Sequence, residues 1–226
     1  MKRIFLTATV LGAMILTAGA QQQRTTVSMT KNNGTTVGVH AGVNMFNING
    51  KTATGVELNN KLNTGFTGGV DVAIPLGGGA YLQPGVDFTQ KGTETENGIK
   101  TTLNYVDIPV SFVYKPIVGT GNLVLGFGPY LGFGVGGKVT SANGASTKVE
   151  YRDTYDRAIP SSTLQLRRSD AGANFIAGYE FANSLSLNLK AQLGLKDINP
   201  DMGNEGANNQ LRYRNTGFGL TVGYRF

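Results

Sequence analysis

SLSLNLKAQLGLK, running from Ser184 to Lys196, reads in only one way as secondary structure. Leu185, Leu187, Leu189, Ala191, Leu193 and Leu195 fall on one side of a two-residue period. Ser184, Ser186, Asn188, Lys190, Gln192 and Gly194 fall on the other, so the segment is a β-strand with one apolar face; a helix would mix the two sets. The same parity holds at Val37, Val39, Ala41, Val43 and Met45, opposed to Gly38, His40, Gly42 and Asn44. It returns at Leu123, Leu125, Phe127, Pro129, Leu131, Phe133 and Val135, opposed to Gly126, Gly128, Tyr130, Gly132 and Gly134.

Continuing outward gives eight strands, near 36–47, 64–75, 80–91, 102–114, 122–136, 170–182, 184–196 and 211–226. Short connections at Gly77 to Gly79, Lys115 to Gly121 and around Asn183 alternate with long polar ones at 48–63, 92–101, 137–169 and 197–210. An even number of strands with short turns on one side and long loops on the other predicts an all-β fold, an eight-stranded antiparallel up-and-down transmembrane barrel of the outer-membrane kind. A soluble barrel would turn its apolar face inward around a ligand, whereas a membrane barrel turns it to lipid and keeps a polar lumen. The face opposite the leucines carries His40, Asn44, Thr67, Asp71, Asp87, Asp107, Glu180, Asn188, Lys190 and Arg225 among many glycines. Such a set cannot make a dry core, but it can fill a narrow lumen with paired charges.

Composition agrees. Glycine accounts for 33 of 226 residues with no three-residue period, which excludes collagen, and 11 Phe and 9 Tyr argue against plain disorder. There is no cysteine, so disulfides, thiolate metal sites, cysteine nucleophiles and a lipidated N-terminal cysteine are excluded.

The opening MKRIFLTATVLGAMILTAGA reads as a signal peptide over 1–20: Lys2 and Arg3, an apolar run from Ile4 to Leu16, then Ala18 and Ala20 before a cut that leaves QQQR. Its apolar run is too short for a membrane span and is broken by Thr7, Thr9 and Gly12. Export of 1–20 lowers the formal net charge from +6 to +4, which removes the main support for a nucleic-acid partner. Residues 21–35 are polar and aperiodic and read as a flexible periplasmic segment; 36–226 is the barrel.

Phe112 and Tyr114, Tyr179 and Phe181, and Tyr224 and Phe226 fall on the outward parity at the periplasmic ends of three strands, as an aromatic girdle requires. The terminal GLTVGYRF resembles the C-terminal signal that hands outer-membrane barrels to their assembly machinery, a partner implied by that likeness.

YLQPGVDFTQKGTE from Tyr81, LNYVDIPVSFVYKP from Leu103 and LGFGPYLGFGVGGK from Leu125 resemble the PorT-like outer-membrane β-barrel family. In that family a Q-P then Q-K-G strand, an N-Y-x-[ED]-I-P strand and a G-P-Y strand occur in this order. The resemblance spans roughly 36–226 and implies a link to protein secretion across the outer membrane, with envelope or secretion proteins as partners. It departs at Gly85 to Asp87, where family members often carry Glu and bulkier apolar residues, so no role of that Glu carries over. Pro84, Pro109 and Pro129 fall inside strands and remove ladder donors, which predicts bulges; one at Pro109 would swap the faces of residues past Val110.

Chemistry finds little support. His40, the one histidine, is expected in the lumen with Ser111 and several carboxylates, whereas a membrane lipid hydrolase needs Ser and His at the bilayer edge. Asp197, Asn199, Asp201 and Glu205 suggest a calcium loop, but Met202 stands where glycine is needed, Pro200 intrudes and Asn208 replaces the closing Glu. Turn chemistry explains that loop more simply. No catalytic, metal or cofactor site is expected. In the longest loop KVEYRDTYDR, Lys148 to Arg157, is read as a solvated surface loop or hairpin, and Arg167 and Arg168 are candidates for anionic lipid phosphates where it re-enters the membrane. The expected protein is therefore a structural or interaction barrel in outer-membrane lipid. A narrow channel past Asp71, Asp107 and Lys190 is the alternative, and a soluble lipid-binding barrel a third.

Overall fold

The structure is a computed structural model and describes residues 34–52, 55–160, 162–201 and 212–226. The expected signal peptide lies outside these residues, as does all of the 21–35 segment except Gly34 and Thr35. Eight long strands make the barrel: β1 (Thr36–Lys51), β2 (Lys61–Gly77), β3 (Ala80–Glu94), β4 (Lys100–Tyr114), β5 (Gly121–Thr140), β6 (Ser169–Glu180), β7 (Leu185–Gly194) and β8 (Arg212–Arg225). Each pairs antiparallel with the next, and β8 returns to β1 in unbroken register from Gly38↔Arg225 to Lys51↔Arg212. Closure leaves no open edge among the eight, which is what a β structure in hydrocarbon needs.

The two faces separate as the alternation requires. Val43, Phe66, Phe127, Leu131, Leu189, Leu220 and Val222 are each about half exposed and form a continuous apolar belt around the barrel. A belt of that extent has no place in water, and it puts lipid outside and polar groups inside. Phe112, Tyr114, Phe181, Tyr224 and Phe226 are exposed at the short-turn end, with Tyr179 half-buried beside them. Tyr179 packs edge-on against Phe181 and Tyr224 against Phe226, at 5.0 Å in each case.

The bulges expected at the in-strand prolines are absent. Pairing between β3 and β4 stops after Pro84↔Val110 and resumes at Asp87↔Asp107 in the same register. Pairing between β4 and β5 likewise has a gap from Pro109↔Tyr130 to Phe112↔Phe127. The prolines sit at these gaps, so each missing N–H costs ladder bonds without inserting a residue, and the faces do not swap: Ile108, Val110, Phe112 and Tyr114 stay outward. Register shifts occur elsewhere, between Leu62 and Thr67, between Pro75 and Gly77, and at Asn104/Tyr105. The departure at Gly85 has a steric reason, because a Cβ there would lie 2.9 Å from the Val70 carbonyl oxygen.

Candidate functional site

The lumen carries charged side chains in tiers along its length. At the short-turn end Lys115 Nζ meets Glu180 at 2.6 Å, and Arg225 lies 3.6 Å from the same carboxylate and 2.7 Å from Asp71. Burial, then the neighbouring Arg225, holds the Lys115 ammonium below its usual range, while Glu180 opposes that shift. In the middle His40 Nδ1 lies 3.5 Å from Asp71, and its Nε2 lies 3.1 Å from Asp87 and 2.7 Å from Lys190 Nζ. His40 Nε2 thus faces an ammonium, which can only donate, and a carboxylate, which can only accept, so which of the two it bonds depends on the ring tautomer. Lys190 also reaches Asp87 at 3.2 Å.

The third tier closes the barrel. Lys91 is wholly buried, with Nζ 3.1 Å from both Asp107 and Asp170. Tyr130 Oη and Asn215 Nδ2 donate to Asp170 at 3.3 and 3.0 Å, and Gln192 Nε2 donates to Asp107 at 3.2 Å. The ammonium also sits 4.5 Å from the Tyr130 ring centre, 4.8 Å from that of Tyr105 and 5.6 Å from that of Phe46. Desolvated cation–π contacts of this kind are worth about 2 kcal/mol. Three sequence motifs meet here: the Q-K-G strand brings Lys91, the N-Y-V-D-I-P strand brings Tyr105 and Asp107, and the G-P-Y strand brings Tyr130. Gly132 makes room for them, since a Cβ there would lie 2.5 Å from Asp107 Oδ1.

The ten luminal residues expected from parity all lie inside, and Lys91, Asp170 and Lys115 join them. Parity could have found the first two, because Lys91 lies two residues on from the inward Thr89 and Asp170 four before the inward Asn174. Lys115 follows the last residue of β4, where strand alternation gives no direction.

Above the plug the long loop begins as the expected hairpin and keeps Lys148, Arg152, Asp153 and Arg157 exposed, but it also buries apolar side chains. Ser146–Lys148 extends β5 as a hairpin, and then the chain turns back over the mouth. Glu150–Tyr151 pairs in parallel with Gln165–Leu166. Val149, Leu166 and Ile198 bury themselves against Ile48, Leu103 and Tyr105 of the barrel wall. Tyr151 is set edge-on to Tyr105 at 6.2 Å, and its hydroxyl donates to the Gly136 carbonyl at 3.1 Å. Burial raises the Tyr151 phenol pKa above the ordinary range. Tyr151→Phe should cost about 1 kcal/mol, the loss of one net hydrogen bond, read as a small fall in the thermal midpoint.

The remaining candidates separate. Ser111 and His40 line one luminal cavity of about 50 Å³, but Ser111 Oγ donates to Asn174 at 3.2 Å, and neither residue is at the bilayer edge. Asp197 accepts the Asn199 and Tyr213 backbone N–H groups, and the Asp201 backbone pairs with Asp153 and Tyr155, so both serve the cap. Glu205 and Asn208 lie outside the described residues. Among the described residues no three His, Asp or Glu side chains form a metal cage. Arg167 is tied into the cap by its N–H to the Ile198 carbonyl, while Arg168 is exposed.

Residues 20–199 match the family model described as outer membrane protein beta-barrel domain. Similar solved structures include Ail, the attachment invasion locus protein of Yersinia pestis, at 14% identity and a TM-score of 0.43, covering 85% of this chain and 99% of that one. Neisserial surface protein A is similar at 14% identity and a TM-score of 0.44, with the same coverage. The N-terminal barrel domain of Pseudomonas aeruginosa OprF is similar at 12% identity and a TM-score of 0.33, covering 84% and 97%. No curated protein matches the chain in sequence.

Proposed function

The chain belongs to the outer membrane protein beta-barrel domain family, and from that premise we propose that it serves as a closed interaction platform, neither an enzyme nor a pore. The observation that carries this reading is the Lys91, Asp107 and Asp170 plug, whose side chains are shut off from solvent on both sides. An eight-stranded lumen is about the width that side chains can fill, so the plug takes the path an ion would need. The cap then offers Lys148, Arg152, Asp153 and Arg157, all exposed on a rigid base, to a partner outside the cell. The PorT-like resemblance favours a partner from the envelope or secretion apparatus. A narrow channel is the second reading, and it requires the plug to open.

Planar-bilayer recording of the refolded protein should show no unitary current, and a photo-crosslinker at Arg152 should capture an envelope protein that one at Leu187 in the lipid belt does not. Stepwise currents would favour the channel. Equal capture at both positions would remove the platform.

A further inference from the structure

Charge around the outer rim is uneven. At the ends of β2, β3 and β4 the cations have a carboxylate between them: Lys61 and Lys100 both register against Glu94, and Lys100 Nζ lies 3.6 Å from it. Along β6, β7, β8 and β1 the pattern differs. Arg168 precedes β6, Lys196 follows β7 with its Nζ on Ser169 Oγ at 2.6 Å, and Arg212 and Arg214 open β8. Lys51 closes β1 directly opposite Arg212. Among the described residues the acidic side chains against this arc are Glu57, bridged to Lys51, and Asp197, whose carboxylate is taken up by the Asn199 and Tyr213 backbone N–H groups.

Two details point to an anion as the partner of this arc. Like charges directly opposite on neighbouring strands are destabilising, yet Lys51 and Arg212 hold that position in an unbroken ladder. Arg214 Nε is buried with no hydrogen-bond partner among the described residues. Register also fixes which side these residues face. Met45↔Phe218 belongs to the lipid belt, and Asn47↔Thr216, Asn49↔Arg214 and Lys51↔Arg212 continue the same face upward. Arg214 is four residues above Phe218, about 13 Å along the strand, which sets it where hydrocarbon gives way to headgroups.

We propose that this arc, Lys51, Lys196, Arg212 and Arg214 with Arg168 at its edge, is a binding site for the phosphate of an anionic outer-leaflet lipid. Guanidinium forks match phosphate oxygens in bidentate geometry, and the ammonium groups supply charge. The lipid's chains then lie along the belt below, over Met45, Phe218 and Leu193, so the headgroup and tail of one molecule are both satisfied.

The test compares thermal unfolding of the full chain in phosphatidylcholine vesicles with and without phosphatidic acid, whose phosphomonoester is the probe. The wild type should gain roughly 3 °C, as expected when a ligand binds only the folded state. Lys196→Gln combined with Arg212→Gln and Arg214→Gln should lose most of that gain, while Lys61→Gln with Lys100→Gln on the other rim should keep it. If the triple variant does not fold, Lys196→Gln alone should lose part of the gain, and Arg212→Lys with Arg214→Lys should also lose part of it, because Lys keeps the charge but not the bidentate fork. Equal losses on both rims, no gain in the wild type, or the same gain from inorganic phosphate would each overturn the proposal.

Discussion

Lys91→Met is expected to lower the stability of the folded barrel by about 3–5 kcal/mol, the cost of leaving buried charge without its partner. The cause is geometric. Asp107 and Asp170 are shut off from solvent and converge on one ammonium at 3.1 Å each, so its loss leaves two carboxylates facing each other in a low dielectric. The rings of Tyr105 and Tyr130 lose their cation in the same change. Removing the charges together has a different outcome. Lys91→Met with Asp107→Asn and Asp170→Asn should recover most of the loss, because a buried ion cluster contributes little beyond a neutral packing of the same shape. Urea titration of the refolded protein, followed by the gel shift between folded and unfolded barrel, measures both. A midpoint unchanged by Lys91→Met would mean that the plug is not a coupled unit, and the closed-lumen reading of function would lose its basis.

This plug also marks what was legible before the fold was known. Parity at Leu185 to Leu195 carried over strand by strand because period two is enforced twice, by lipid outside and by a narrow polar lumen inside. Asp87, Asp107 and Lys190 could therefore be placed inside from sequence alone. Which of them touch could not, since contact depends on stagger around the ring: Lys91 meets Asp170 across 79 positions in sequence. The prolines misled for a related reason. A missing N–H can be accommodated by a bulge or by a ladder gap, and only the neighbouring strands decide which; Pro84 and Pro109 share one gap between β3 and β4. The cap was illegible because Val149 with Tyr151, and Leu164 with Leu166, alternate over only two apolar positions each in polar surroundings, and Ile198 stands alone. No period reveals such residues, and their shared partner, Tyr105, is itself a barrel side chain. Arg212 and Lys51 lie at the two ends of segments bordered by long loops, so their juxtaposition emerges only from the β1–β8 closure.

Leu189→Arg should destabilise the barrel in vesicles by about 2–4 kcal/mol, and Leu195→Arg on the same face by only about 0–1 kcal/mol. Leu189 is half exposed near the middle of the row from Leu185 to Leu195, and its cross-strand neighbours on the belt are Leu220 and Ala177. An Arg there meets only hydrocarbon and must reach for the headgroups along its own stem. Leu195 is beside Lys196 at the outer rim, where an Arg adds to a surface already wet and basic. The chain has no tryptophan, so the comparison uses the same folded-to-unfolded gel shift across a urea series. The ratio between the two positions matters more than either value. A soluble barrel would tolerate both changes about equally, because Arg on an exposed strand face in water costs little wherever it sits. A bilayer grades the cost by depth, so equal effects at Leu189 and Leu195 would contradict the placement of this face in lipid.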